Sequence, residues 1–146
     1  MTSGTNSTET TVTGRWISHA PHLLSLLRIV GAALFLELGT AKLFAIPVSI
    51  MPDGSTVQLA SLVGVAGVLE LVGGILLLLG LFTRPVAFIL AGEMAVAYFK
   101  GHAIRGVWPV ENGGTAAIIF CFLWLYVSAA GPGPWSVDSA RRGKLG

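Results

Sequence analysis

Three glutamates, Glu37, Glu70 and Glu93, each interrupt a long apolar run. Glu70 is the one ionisable residue in "VGVAGVLELVGGILLLLGLF", residues 63–82. Acids within apolar helices are rare, usually face a bundle interior or a wet cavity, and mark function. Counted inward from the ends of their runs, the three fall near one depth on three successive helices. Burial disfavours ionised carboxylates and neighbouring acids compete for protons, so at least one is expected to hold or share a proton at neutral pH. That is the chemistry of a proton acceptor beside a redox-active or transported ligand. The structural alternative is that such acids hydrogen-bond between helices and act as glue, worth about 0.6 kcal/mol on average. Three acids at one depth favour a site, with Glu37, Glu70 and Glu93 as its catalytic candidates.

Cations and polar residues near the same helices supply ligand-binding candidates. Lys100 follows Glu93 by seven residues, on the same helix face but two turns outward. Lys42 follows Glu37 by five residues, about 140° round the helix at roughly 100° per residue, so that pair is not aligned within one helix. Both lysines are close enough to an interface to snorkel, which is the simpler account of each. Tyr98 and His102, four residues apart, share a face and could line an outward-opening pocket with Arg105, Trp108 and Asn112. A haem held by two histidines is not expected, because His19 and His22 lie at one end of the helices and His102 at the other. A metal bridged by the three glutamates would lack the Glu-x-x-His pairs of di-iron bundles, so no metal is expected either. Cys121 is the single cysteine, which excludes an intrachain disulfide or a CxxC pair and reads as a buried, inert thiol.

The elements that must carry these residues are membrane helices. Hydrophobic residues make up 53% of the 146 and charged residues 11%, against about 25% charged in a soluble domain. About 20 apolar residues cross the roughly 30 Å hydrocarbon core, and four segments meet or approach that length: 22–46, 57–80, 84–101 and 114–130. Prolines and glycines punctuate them: Pro21, Pro47 and Pro52 around the first, "GLFTRP" between the second and third, "ENGG" before the fourth and "GPGP" after it. The predicted fold is an all-α integral membrane protein, an antiparallel four-helix transmembrane bundle over residues 22–131. Residues 1–21 are expected to form a disordered cytoplasmic tail, their Thr- and Ser-rich start lacking both a core-forming pattern and the features of a signal peptide. Residues 132–146 are expected to form a basic cytoplasmic tail. Arg15, Arg28, Arg84, Arg141, Arg142 and Lys144 fall on the side of both termini, against Lys42, Lys100 and Arg105 on the other, which predicts cytoplasmic termini. Trp16, Trp108 and Trp135 fall near the expected interfaces, whereas Trp124 lies within the fourth helix. Ala60, Gly64, Gly67 and Gly74 fall near one face of the second helix and predict close helix packing. The positive charges are too dispersed for a nucleic-acid surface.

The motifs "LLRIVGAALFLELGTAKLF", "LELVGGILLLLGLFTRPVAFILAGEMAVAYF", "WPVENGG" and "AAGPGPWSVD", in that order, closely resemble the DoxX family of small bacterial membrane proteins, over residues 23–138. The resemblance implies a multi-pass protein of the bacterial inner membrane, related to DoxD-like subunits of thiosulfate:quinone oxidoreductase and to respiratory or oxidative-stress systems. It brings no assigned catalytic set. The positions matching its motifs include Lys42, Glu70, Gly73, Gly74, Gly80, Arg84, Tyr98, Gly113, Gly114 and Trp135, of which Glu70 is the one that packing, turns or topology do not explain. The leading expectation is therefore a quinone-interacting subunit of a membrane oxidoreductase whose midplane glutamates handle protons. Its expected partners are the bilayer, a quinone, and another oxidoreductase subunit or further copies of the chain. Two alternatives stay open: a non-enzymatic scaffold or assembly subunit, and a small proton-coupled transporter. The second lacks an evident inverted repeat or broken helix.

Overall fold

Long apolar runs ended by glycine and proline produce a wholly helical chain among the described residues. The computed structural model describes residues 6–143, with side chains from residue 17 onward. The elements are α1 (Asn6–Phe44), α2 (Leu62–Leu79), α3 (Thr83–Ala97), α4 (Pro109–Asn112), α5 (Thr115–Ala130) and α6 (Val137–Arg142). A π-helical turn (Tyr98–His102) and a 3-10 turn (Ala103–Arg105) carry on from α3. Two stretches, Ile17–Phe44 and Leu62–Leu79, are long and apolar enough to cross a membrane, and Thr115–Ala130 is a shorter apolar helix.

Most element ends fall close to the expected ones, and the exceptions have local causes. α2 starts at Leu62 rather than 57 because Ser61 caps it, its hydroxyl accepting from the Gly64 N–H at 3.0 Å. Upstream of that cap, the Val57 N–H bonds the Lys42 carbonyl and holds the chain against the end of α1. α2 ends at Gly80, whose φ of 66° closes the helix by donating to Leu76 and Leu77. α1 extends upstream to Asn6, so the expected tail is corrected over residues 6–21, while residues 1–5 lie outside the described residues. Extending a formed helix costs far less than starting one, and Pro21 removes one of its hydrogen bonds without ending it.

α1 packs along α2 and α3 along α5, and α2 joins the two pairs through α3. Backbones meet closely at α1–α2. A Cβ on Gly39 would lie 2.7 Å from the Leu71 nitrogen, and Gly67 and Gly74 face Leu43 and Leu36. In lipid this van der Waals approach, rather than water exclusion, holds helices together. The core is small: Phe35, Leu77, Leu90, Met94, Trp124 and Val127 with alanines between them. Phe35 meets Phe120 and Trp124 edge-on at 4.9 and 5.2 Å. Half-buried Cys121 packs beside this cluster as a free thiol. Val65, Val68, Val72, Ile75 and Leu79 of α2 all point outward, an apolar surface suited to lipid and too extensive for water.

One end of the helices is closed by the segment after α5. Arg28, fully buried, donates from Nε to the Pro132 carbonyl (2.9 Å) and from Nη2 to that of Trp135 (2.5 Å). Its Nη1 reaches the Leu77 and Leu78 carbonyls at the end of α2. Arg84 caps α5 in the same manner, donating to the Ser128 and Ala129 carbonyls. Residues 132–142, expected as a tail, are thus folded against α1 and the α2–α3 turn. "GPGPW" supplies carbonyls to an arginine that a bilayer would otherwise leave unsatisfied.

Candidate functional site

The glycine contact between α1 and α2 brings Lys42, near the end of α1, over the middle of α2. Its Nζ lies 2.5 Å from Glu70 Oε1, and the two side chains are 15% and 0% exposed. Lys42 thus turns inward across helices instead of snorkelling to an interface. Glu70 Oε2 remains buried without a hydrogen-bond partner among the described residues.

α3 adds Glu93. Both its carboxylate oxygens are buried and have no hydrogen-bond partner among the described residues, and Glu70 and Lys42 are near enough to act on it electrostatically. Two acids and one ammonium therefore lie near one another where α1, α2 and α3 come together. Glu37 is not among them. It is exposed on α1, away from Lys42 and Glu70. The expectation of three acids around one site is corrected to two, because 3.6 residues per turn rotates Glu37 off the face that Gly39 and Lys42 share.

A cleft of about 540 Å³ opens beside this group, between α2 and the α3–π-helix segment. Val65, Leu69, Ile89 and Val96 are among its apolar walls, and its polar lining is Lys42, Glu93, Lys100, His102 and Arg105. The π-helical turn carries Lys100 and His102, an irregularity common at functional sites. Arg105 Nε and Nη2 donate to the Gly101 carbonyl, which fixes the guanidinium at the cleft mouth. His102 Nδ1 lies 3.1 Å from the Asn112 carbonyl.

The seven ligand-binding candidates therefore divide. Lys42, Lys100, His102 and Arg105 line the cleft, whereas Tyr98, Trp108 and Asn112 do not. Tyr98 packs its ring over Gly114. Trp108 is 66% exposed beyond the cleft. Asn112 uses both ends of its amide on the loop, donating to Gly106 O at 2.8 Å and accepting from Gly114 N–H at 2.8 Å. Glu70 lies behind Lys42 and outside the lining, so Glu93 is the acid that faces the cleft. Sequence reasoning missed the Lys42–Glu70 pair and the buried role of Arg28. An arginine a few residues into an apolar run was the one signal for the latter.

Chemically, the site offers a carboxyl without a hydrogen-bond partner among the described residues, donors at the mouth and apolar walls between them. The cleft has the room and the apolar walls for an amphiphile, with the Glu93 carboxyl buried behind its lining. Among the described residues no three His, Cys, Asp or Glu side chains are grouped to hold a metal ion.

The family model described as DoxX matches residues 23–103. A curated protein of Haemophilus influenzae, named "Uncharacterized protein", is 45% identical over 124 residues, covering 83% of this chain and 92% of its own length. No solved structure matches.

Proposed function

Since this chain belongs to the DoxX family of membrane proteins, we propose that it is a quinone-interacting subunit of an oxidoreductase in the bacterial inner membrane. In this reading α1, α2, α3 and α5 form an antiparallel four-helix bundle that crosses the membrane four times, with both termini in the cytoplasm. The observation that carries the proposal is Glu93: its carboxyl oxygens are buried with no hydrogen-bond partner among the described residues, and the residue lines an apolar cleft with cationic side chains at its mouth.

The residues fit a quinone. The cleft lies within the roughly 300–1,000 Å³ range of small-molecule sites. Its walls suit a ring and the start of an isoprenoid tail, and Lys100, His102 and Arg105 offer donors to a carbonyl oxygen. A bound quinone would supply two-electron chemistry coupled to two protons, with electrons entering from a partner subunit. Glu93 would hold or pass a proton at the inner end of the cleft, and the Lys42–Glu70 pair would set the charge behind it. Proton transfer by a positioned side chain contributes typically about 10²–10⁴-fold in rate.

The scaffold reading has one observation in its favour: the Lys42–Glu70 pair ties α1 to α2 and needs no ligand. Titration of the purified protein in nanodiscs with a short-tailed quinone separates the two. Wild type should bind it saturably, and Glu93→Gln should bind about tenfold more weakly or lose proton uptake on quinone reduction, while staying folded. A wild type that binds no quinone, or a glutamine variant with undiminished binding and proton uptake, would leave the acids as packing elements of a scaffold.

A further inference from the structure

Glu37 is the midplane acid that stands apart from the Lys42–Glu70–Glu93 group. Its depth follows from the α1–α2 contact. Gly39 abuts Leu71, and Gly74 abuts Leu36, so Glu37 is level with residues 71–74, near the middle of the apolar helix Leu62–Leu79. The side chain is exposed on the outer face of α1, and its carboxylate has no partner among the described residues. The Thr40 hydroxyl, one turn on, donates to the Glu37 main-chain carbonyl at 3.0 Å. A carboxyl facing hydrocarbon without a hydrogen-bond partner is unfavourable in either protonation state. The outward faces of α2 and α5 present no such group at their centres, only side chains such as Val68, Val72, Phe122 and Leu125.

The residues around Glu37 form a pattern. Positions 23, 26, 30, 33, 37, 40 and 44 alternate spacings of three and four, the repeat of a helix–helix seam. They are Leu, Leu, Val, Ala, Glu, Thr and Phe. All are exposed except half-buried Thr40. A single polar residue in such a seam fixes register and oligomeric state.

We propose that this face of α1 is the interface of a parallel two-fold homodimer, held in register by Glu37 of each copy meeting its symmetry mate. Copies inserted in one membrane share an orientation, so a two-fold axis along the membrane normal sets α1 beside α1 at equal depth. A carboxyl both donates and accepts through a proton, so each Glu37 is the complement the other lacks. Ala33, one turn before it, allows the backbones to approach. The inference is independent of the quinone reading, since the cleft between α2 and α3 opens elsewhere.

The test is disulfide trapping in native membranes, with Cys121→Ser as background. Cysteine at Ala33 should give a dimer of twice the chain mass on mild oxidation, whereas cysteine at Val72, an outward position of α2, should not. Adding Glu37→Leu to the Ala33 cysteine chain should weaken dimerisation by roughly tenfold, in line with polar contacts between membrane helices. Glu37→Gln, whose amide also donates and accepts, should retain it. Both variants should elute from size exclusion as folded protein. The proposal is overturned if Ala33 cross-links no better than Val72, if the trapped partner is a different protein, or if Glu37→Leu dimerises undiminished.

Discussion

Lys42 and Glu70 show what a single charge requires inside a bundle. The ammonium turns inward because Glu70, fully buried on the neighbouring helix, gives it a partner at 2.5 Å, and breaking such a pair leaves the remaining charge exposed to a medium that cannot solvate it. Lys42→Met should therefore lower stability in detergent by about 3 kcal/mol, read as a lowered thermal midpoint. The double variant Lys42→Met/Glu70→Leu should recover most of that loss, since an apolar replacement of both partners is often neutral. A double variant as unstable as the single would assign the loss to packing of the lysine stem. The acid itself was legible in the sequence, as a lone glutamate in a twenty-residue apolar run. Its partner was not. Angular arithmetic within one helix compares Lys42 with Glu37, and the pairing that forms lies across two helices, set by Gly39 and Gly67. Arg28 was hidden for the same reason, its carbonyl partners lying far along the chain.

At the scale of elements, α6 holds the α2–α3 turn through Asp138. Its Oδ1 accepts from the Phe82 N–H at 3.0 Å and its Oδ2 from the Thr83 N–H at 2.8 Å, while its own N–H donates to Gly80 O. Partial burial pushes this carboxyl up, but the N–H groups of Thr83 and Phe82 and the charge of Arg142 outweigh burial and hold it below its ordinary 3.8. A depressed folded-state value means that the contribution is fully present above about pH 4 and disappears as pH falls through the lower value. Thermal midpoints in detergent should accordingly be insensitive to this group between about pH 5 and 8. Asp138→Asn should cost about 1 kcal/mol there, the size of a lost helix cap, and should flatten the acid limb. An acid limb unchanged in the variant would place the titrating group elsewhere. Helix ends at Gly80 and Ala130 were readable because glycine and proline mark them chemically. The inward fold of residues 132–142 was not, because a "GPGP" stop looks the same whether the chain then leaves or turns back.

For the molecule as a whole, composition alone settles that apolar surface faces outward, and the exposed Val, Ile and Leu side chains of α2 agree with it. The direction of insertion rests on charge. Setting aside Arg28 and Lys42, which the fold binds internally, leaves Arg15, Arg84, Arg141, Arg142 and Lys144 against Lys100 and Arg105, the same excess as in the raw sequence count. A cysteine at Ser139, in a Cys121→Ser background, should resist a membrane-impermeant thiol reagent in intact cells and react once the cells are opened. Labelling in intact cells would reverse the orientation. The packing of α1 on α2 was foreshadowed by the small residues of α2, whereas the cleft depends on the π-helical turn, which no sequence pattern marks. The closure by Arg28 has a consequence in time. Its acceptors lie 49, 50, 104 and 107 residues downstream, so they leave the ribosome in sequence: Leu77 and Leu78 with α2, Pro132 and Trp135 only after α5. The first helix must wait through synthesis of the others with its guanidinium half satisfied, and the segment after α5 acts as the latch. A nascent chain stopped after α5 would be unlatched, with two of the four carbonyl acceptors of Arg28 missing.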